Sequence, residues 1–444
     1  MSQQELELPQ GWIKCKIDEI TQSRKIGLDR SRNKQFDSGI PYLKMNNIST
    51  DGKLDLRSIV YVNCSDQELE NFCLKKNDIL FNTRNSYELV GKTTIWDDSI
   101  QNCVYNNNIM RIRIDNSIRS KFLFYFMNSS GFRNALLSVK KATTNICAIY
   151  DKDLKEQLVI IPPLNEQKRI VSKIEELFSK IDSAKQSLEY AKLQLEQYRQ
   201  SLLKSAFEGK HTEKWESVKL ESITEKILNT NPKDNPDHKF KYCDIASIDN
   251  TNHIIVNPKN FLGKDAPSRA RQIIHQEDVI FSTVRTYLHN FAIVPSELNN
   301  QLCSTGFCVL RGDDSIITKL IFYLVQTIQF ESYLNPLQRG TSYPAVRNND
   351  ILNYTFLLPP LDEQEQIVSQ IEQGFSLIEN TTQIIESSLQ NLQTMKMSVL
   401  KQAFEGKLVP QDPNDEPASV LLERIKSTKA SESTKQRRIK NVKK

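Results

Sequence analysis

Three sets of polar residues carry the side chains best suited to recognising a ligand, and each set occurs at corresponding places in two halves of the chain. Asn82, Thr83 and Arg84 follow an apolar run, as do Ser282, Thr283 and Arg285. Lys44, Asn46 and Asn47 correspond to Asp244 and Ser247. Lys140, Lys141, Thr143, Thr144 and Asn145 correspond to Arg339, Thr341, Ser342 and Tyr343. Arg and Asn are natural bidentate readers of guanine and adenine edges, while Lys, Thr and Ser suit phosphate oxygens. That is the chemistry of duplex recognition. The same residue types also build ordinary solvated turns, and spacing alone does not separate the two readings.

Catalytic constellations are sparse by comparison. No P-loop, GxGxxG or HExxH string occurs. The string Asn257-Pro258-Lys259-Asn260-Phe261 is the nearest approach to a methyltransferase loop, and it lacks the aromatic neighbour such a loop needs. Asp153, Glu166 and Lys168 sketch a nuclease centre, but their counterparts Asp350, Glu363 and Glu365 lose the lysine. A role at a helix start accounts better for Glu166 and Glu363. The eight cysteines are scattered singly, without a CxxC pair or a neighbouring cluster of histidines. No catalytic residue and no metal site is expected, and the thiols read as free and buried in a reducing compartment.

Bulk properties narrow the setting. A chain of 444 residues is long for one domain and comfortable for two or three. Its start is polar, without the apolar stretch of a signal peptide, and no apolar run is long enough to span a membrane. A soluble, cytoplasmic protein is expected. The formal net charge is +5. From Glu423 to Lys444 there are nine basic and two acidic residues, so the remainder of the chain is slightly acidic. The tail LVPQDPNDEPASVLLERIKSTKA reads as a Pro-rich turn and a short amphipathic helix, and the final SESTKQRRIKNVKK as disordered.

The elements that must position the polar sets come from an internal repeat, which outranks other sequence signals. Residues 162–210 open PPLNEQKRIVSKIEELFSKID and close SLLKSAFEGK. A second copy opens PPLDEQEQIVSQIEQGFSLIE and closes SVLKQAFEGK, displaced by 197 residues from Pro162 to Pro359 and from Lys210 to Lys407. Within the copies, apolar residues recur every seven positions at Ile174, Ile181, Leu188, Leu195 and Leu202, and at Ile371, Ile378, Ile385, Leu392 and Val399. Heptads sustained this long predict a coiled coil with these residues at the helix–helix interface. A second row contains small residues such as Ala184, Ala191, Gly374, Thr381 and Ser388, which permit close approach, but also Tyr198 and Met395. Asn165 or Asp362 is placed to cap the first turn, and Gly209 and Gly406 suit a left-handed C-cap. Each helix of about 45 residues would extend roughly 65 Å. Pairing within the chain, antiparallel, is favoured by matched length and register; a homodimerising coil is the alternative.

The segments between the helices also correspond. GWIKCKIDEI is answered by KWESVKLESI, NDILFNTR by EDVIFSTVR, and the aromatic helix FLFYFMNSSGFRNAL by LIFYLVQTIQFESYL. Short apolar runs bounded by Asn, Asp and Gly read as strands. The pattern persists while identity falls well below that of the helices. Two diverged heads on a uniform spacer imply that each head recognises something different. The expected class is α+β, with two similar mixed heads, two long helices and a pseudo-twofold repeat.

With these residues in place, the double PPLxEQ-to-AFEGK arrangement and the LPQGW start resemble the specificity (S) subunit of Type I restriction–modification enzymes, over essentially the whole chain. The resemblance implies target recognition domains at 1–160 and 211–357, conserved helical regions at 161–210 and 358–407, and a tail at 408–444. It implies that each recognition domain reads one half of a split duplex DNA target while the helix pair sets the gap. It further implies that two modification (M) subunits and restriction (R) subunits join the chain. Those partners would bind S-adenosylmethionine, ATP and Mg; this chain would hold no cofactor and would not be an enzyme. Rival readings are a scaffold with protein-binding heads, a single-chain restriction or modification enzyme, and a homodimeric transcription regulator.

Overall fold

The computed structural model describes residues 8–144, 146–208 and 214–442, with side chains described to Ser431. The chain forms two compact units. One runs to Gln186 and resumes at Leu389; the other is Ser187–Ser388. Both boundaries fall inside long helices, Leu164–Phe207 and Leu361–Phe404. Each unit is therefore one head plus a length of both helices.

The repeated PPLxEQ motif explains how a head is fixed to its helix. Pro-Pro stops the helix from continuing backwards and leaves its first amides and the preceding carbonyls in need of partners. Gln167 is fully buried, accepts from the Arg119 amide at 3.0 Å and donates to the Pro162 carbonyl at 2.9 Å. Gln364 repeats this on the Ile317 amide at 2.9 Å and the Pro359 carbonyl at 2.8 Å. One residue earlier, Glu166 accepts from the Trp12 indole at 2.9 Å, and Glu363 from Trp215 at the same distance. These carboxylates lie in the first turns of their helices, as expected, and also hold tryptophans at the start of each head. Asn165 and Asp362 lie within the first helical turn, after Leu164 and Leu361, so neither occupies the expected cap position.

In the first unit, strand Ile13–Lys16 pairs antiparallel with Leu158–Ile161, so the head's first and last strands meet beside the helix start. A four-stranded sheet runs in the order Thr21–Ile26, Ile109–Ile114, Ile79–Asn82, Thr93–Ile95. A three-stranded sheet follows the order Val60–Val62, Ile40–Leu43, Val104–Tyr105, with the last pair parallel. The second unit closes in the same way, Glu216–Lys219 against Thr355–Leu358. Its central strand Val279–Ser282 lies between Phe291–Ile293 and Phe307–Leu310. Matching ion pairs brace both sheets: Arg113 with buried Asp78 at 2.7 Å, and Arg311 with buried Asp278 at 2.7 Å.

The apolar cores of the heads continue into the helices. Phe81, Phe122 and Phe126 cluster with Ile170, Ile174 and Leu400; Phe281, Leu320 and Phe330 cluster with Leu203, Val368 and Ile371. The expected aromatic helix is two helices, Ser120–Asn128 and Ser130–Leu137, because Ser129 turns extended and caps the second one through the Phe132 amide. Thr327 does the same for Phe330.

Within the second unit the long helices run antiparallel: Lys192 meets Glu386 at 2.6 Å, Arg199 stacks over Phe375, and Leu202 lies against Gly374. A Cβ at Gly374 would sit 2.3 Å from a Leu202 methyl, so the small residue there allows the approach. In the first unit Lys396 pairs with Asp182 and stacks over Phe178. Ile174, Ile181, Ile371, Ile378 and Ile385 are buried; Leu188, Leu195, Leu202, Leu392 and Val399 are half-buried. On the second row, Tyr198 and Met395 are exposed, so that row does not form a continuous seam. Gly406 has φ +71 and ends its helix with a bond from the Lys407 amide to the Gln402 carbonyl, a left-handed cap. Gly209, Lys210 and His211, where a cap and a domain junction were expected, lie outside the described residues.

The amphipathic helix expected in the tail is present and continues into the stretch expected to be disordered. A helix spans Ala418–Val442, since nothing after Pro417 breaks it and its first turns are anchored. Ala418, Leu421 and Ile425 are buried in the first unit's core, and Lys429 donates to the carbonyls of Asp18 and Glu19.

Burial pushes the Glu166 carboxyl above its usual range, while the Trp12 bond opposes that shift. Trp12→Phe is therefore expected to destabilise the protein by about 1–3 kcal/mol, the cost of leaving a buried acceptor unpaired. Trp215→Phe should cost less, because Glu363 is half-exposed. Urea unfolding followed by circular dichroism checks this; equal costs would refute the burial argument.

Candidate nucleic-acid interface

The end of the central strand in each head leads into a short ladder built from distant segments. Arg84–Asn85 pairs antiparallel with Cys147–Ala148, which pairs in turn with Lys141–Ala142. Thr143 closes the turn with its amide and hydroxyl, both donating to the Ile146 carbonyl. In the second head, Val284 and Arg339 both bridge Ala345. The fold thus brings together Arg84 with Lys141, Thr143 and Thr144, and Arg285 with Arg339, Thr341, Ser342 and Tyr343. Arg84, Lys141, Thr143 and Thr144 are exposed, as are Arg339, Thr341, Ser342 and Tyr343. Asn145 lies outside the described residues.

Arg285 is the most preorganised of these groups. Its guanidinium lies 4.4 Å from the Tyr343 ring centre and donates to the Ser342 carbonyl at 3.0 Å. Stacking on an aromatic face fixes the plane of the fork and leaves other N–H groups available. Arg84 has no side-chain partner among the described residues. Lys141 and Arg339 serve the base of each hairpin: Lys141 lies 3.4 Å from Asp153, and Arg339 lies 2.6 Å from Asp350, which it holds below the usual carboxylate range.

Other expected contact residues face inwards. Asn82, Thr83, Ser282 and Thr283 are buried. Asn82 donates to the carbonyls of Arg84 and Asn108, Thr83 to Asn108, Ser282 to Val284 and Thr283 to Gly306. They shape the ladder, their side chains occupied by backbone carbonyls of neighbouring segments. Asn47 and Ser247 are buried caps of short turns, accepting from the amides of Lys44 and Asp244. Lys44 reaches Gln35, and Asp244 pairs with Lys259 at 2.7 Å. Asn46 alone of that set is exposed. The nuclease sketch also dissolves, since Asp153 serves Lys141 and Glu166 serves Trp12.

Sequence reasoning missed the exposed aromatics beside these loops. Tyr87 lies under Lys140, and Tyr150 lies near Lys141. Tyr287 is also exposed. The signal for Tyr87 and Tyr287 was a tyrosine two or three residues after Arg84 and Arg285.

Arg285 and His289 both have positive φ, at 49° and 53°, flanking the turn Thr286–Leu288. Such non-glycine conformations are strained and persist only where the surroundings hold them. Beneath the turn lies a cavity of about 220 Å³ lined by Arg199, His253, Thr286 and Glu331. His253 stacks on Phe291 at 4.1 Å, and burial holds its imidazole down at about 4.

The chain matches the family model for the Type I restriction modification DNA specificity domain twice, at residues 9–193 and 212–388. It therefore belongs to that family and carries two DNA specificity domains. It is 24% identical to the Type I restriction enzyme EcoKI specificity subunit of Escherichia coli, over 97% of this chain and 98% of that protein. It is also 24% identical to the StySPI specificity subunit of Salmonella potsdam, over 96% of each. The fold is shared with the HsdS subunit from Thermoanaerobacter tengcongensis, at TM-score 0.59 and 21% identity, covering 92% of this chain and all of that one. A chain from a type I R-M system structure aligns at TM-score 0.70 and 20% identity, over 90% of this chain and 99% of that one. This protein is a Type I restriction–modification specificity subunit.

The depressed His253 value predicts a pH dependence. The unfolded chain binds a proton here near pH 6.5, whereas the folded chain does so only near 4. Stability from the neutral, buried imidazole is complete above pH 6.5 and is lost as pH falls towards 4. Allowing for its partial exposure, the loss should be about 1–2 kcal/mol. His253→Phe preserves the stack and should remove this part of the slope between pH 7.5 and 4.5 in urea titrations; an unchanged slope would refute it.

Proposed function

We propose that each head reads one half of a bipartite duplex DNA target through its exposed hairpin, and that the helix pair sets the gap between the half-sites. The observation that carries this is the contrast between the invariant clamps and the divergent hairpin tips. The Gln167 and Gln364 bonds are the same in both units, while Thr143-Thr144 stands where the other head has Thr341-Ser342-Tyr343. Arg285 on its tyrosine is the best-placed base reader, with Arg84 its counterpart. Exposed Asn46, Thr143, Thr144, Thr341 and Ser342 supply backbone or base contacts. Lys141 and Arg339, tied to carboxylates, contribute less.

In this reading the chain is not itself an enzyme. Two modification subunits would bring S-adenosylmethionine and methylate adenine, and restriction subunits would bring ATP and Mg for cleavage. The helices would dock the modification subunits, with the complex working in the cytoplasm where its DNA lies. The bipartite architecture suits a pseudo-twofold chain, because a duplex offers two-fold related groove faces.

The test is genome-wide adenine methylation in a host expressing the chain with its modification partner. A split motif modified across a constant gap is expected. Arg285→Ala should relax or abolish one half-site only, at a cost of about 1–3 kcal/mol in discrimination. Assembly of the complex with no new methylated motif would leave a protein scaffold as the better account.

Inserting one heptad at Gln186 and one at Ser388, where the chain passes between units, adds about 10 Å to each helix. The tolerated gap should lengthen by about three base pairs with both half-sites unchanged. Altered half-sites would refute the division of labour.

A further inference from the structure

We infer that the first unit carries a docking groove for an acidic segment of a partner protein, and that the second unit lacks it. The groove, about 590 Å³, lies between the Lys75–Asp78 turn, the Asp115–Lys121 segment and the start of the first long helix. Its floor includes the buried Ile118 and Val171. Lys75, Lys76, Arg119 and Lys168 line it, all exposed, and none has a carboxylate partner among the described residues. The other charges largely cancel: Arg113 is taken by Asp78 and Lys121 by Glu175, leaving Asp115 as the remaining acid.

The second unit shows that this charge is not a requirement of the fold. Backbone bonds identify the matching positions. The Lys75 amide donates to Asp78 as the His275 amide donates to Asp278, and both following turns contain a positive-φ residue, Asn77 and Glu277. The Arg119 and Ile317 amides both donate to the motif glutamine. Lys168 and Glu365 each follow that glutamine. Lys75, Lys76, Arg119 and Lys168 are thus replaced by His275, Gln276, Ile317 and Glu365. The scaffold is kept while each of the four cations is lost. Four cations converging on one concavity, of which only Lys168 is held by a side chain among the described residues, Asn165 at 3.2 Å, repel one another and destabilise the free unit, so an anionic occupant gains from all of them.

The location favours a protein segment over a duplex. The groove opens at the start of strand Ile79–Asn82, whereas Arg84 and its hairpin lie past that strand's other end. Its walls include the long helix, through Val171, Ser172 and Glu175. A concavity with an apolar floor admits an extended acidic peptide with interspersed apolar residues; the convex backbone of a duplex meets only its rim.

The experiment measures binding of a short fluorescein-labelled oligoglutamate peptide, and of a duplex lacking the target sequence, to the full chain in low-salt buffer. The variant combining K75E, K76E, R119E and K168E should bind the peptide at least about tenfold more weakly, with duplex affinity unchanged. The reciprocal variant, Q276K, I317R and E365K, should bind the peptide more tightly than the wild type. It keeps the test meaningful if the first variant folds poorly. Unchanged peptide binding in both variants overturns the inference. A fall in duplex affinity alone assigns the groove to DNA phosphates, and an equal fall for both probes marks an unspecific anionic patch; either result also overturns it. The methylation motif obtained with the first variant reports separately on target reading.

Discussion

A glutamine with no exposed surface must place its carbonyl and amide on protein partners, because each polar group left unpaired in the interior costs free energy. Gln167 and Gln364 do so by linking the carbonyl before a long helix to an amide that opens a head helix. Everything else in each unit is referred to that link. It fixes the head on its helix, brings the neighbouring glutamate to the tryptophan at the head's start, and lets the head's core run on into the helix pair. Breaking it would strand several buried groups at once, which explains why the motif is the best-matched stretch between the two units.

With that link fixed, divergence is confined to places where it costs little. The turn after Ile40–Leu43 and the turn after Lys239–Cys243 follow the same sequence of buried and exposed positions, although few of their residues agree. The buried members, Asn47 and Ser247, do the same capping with different side chains. The hairpin tips beyond Arg84 and Arg285 are exposed and have changed freely. A recognition surface on such tips can be rebuilt without disturbing the core.

Electrostatics follows the same logic. Outside its basic tail the chain is nearly neutral, so net charge says little about what it binds. Local arrangement says more. Carboxylates neutralise Lys141 and Arg339 at the hairpin bases and Arg113 and Arg311 in the sheets, whereas Arg84, Lys75, Lys76 and Arg119 have none among the described residues. Cations free of carboxylates are the ones that can exchange water and counterions for a ligand.

The sequence by itself determined the repeat, the two heads, the long helices and the family, because periodic burial and a duplicated motif are written locally along the chain. It also located several of the strands, among them Ile40–Leu43, Val60–Val62, Ile79–Asn82, Ile109–Ile114 and Leu158–Ile161, but not the pairing of 141–148 or 339–345. It did not show that Asn82, Thr83, Ser282 and Thr283 are buried on backbone carbonyls, since a polar side chain after a strand looks the same whether it faces solvent or an unpaired carbonyl. It placed Glu166 and Glu363 in the first turns of the long helices, where they lie, but not their tryptophan partners, which are 154 and 148 residues away. It split neither aromatic helix and ended the tail's amphipathic helix too early; the anchoring of that helix depends on residues near the opposite terminus. Only the tertiary structure decided which polar groups are already satisfied, because hydrogen-bond partners and ion pairs are set by distance in space and not along the chain.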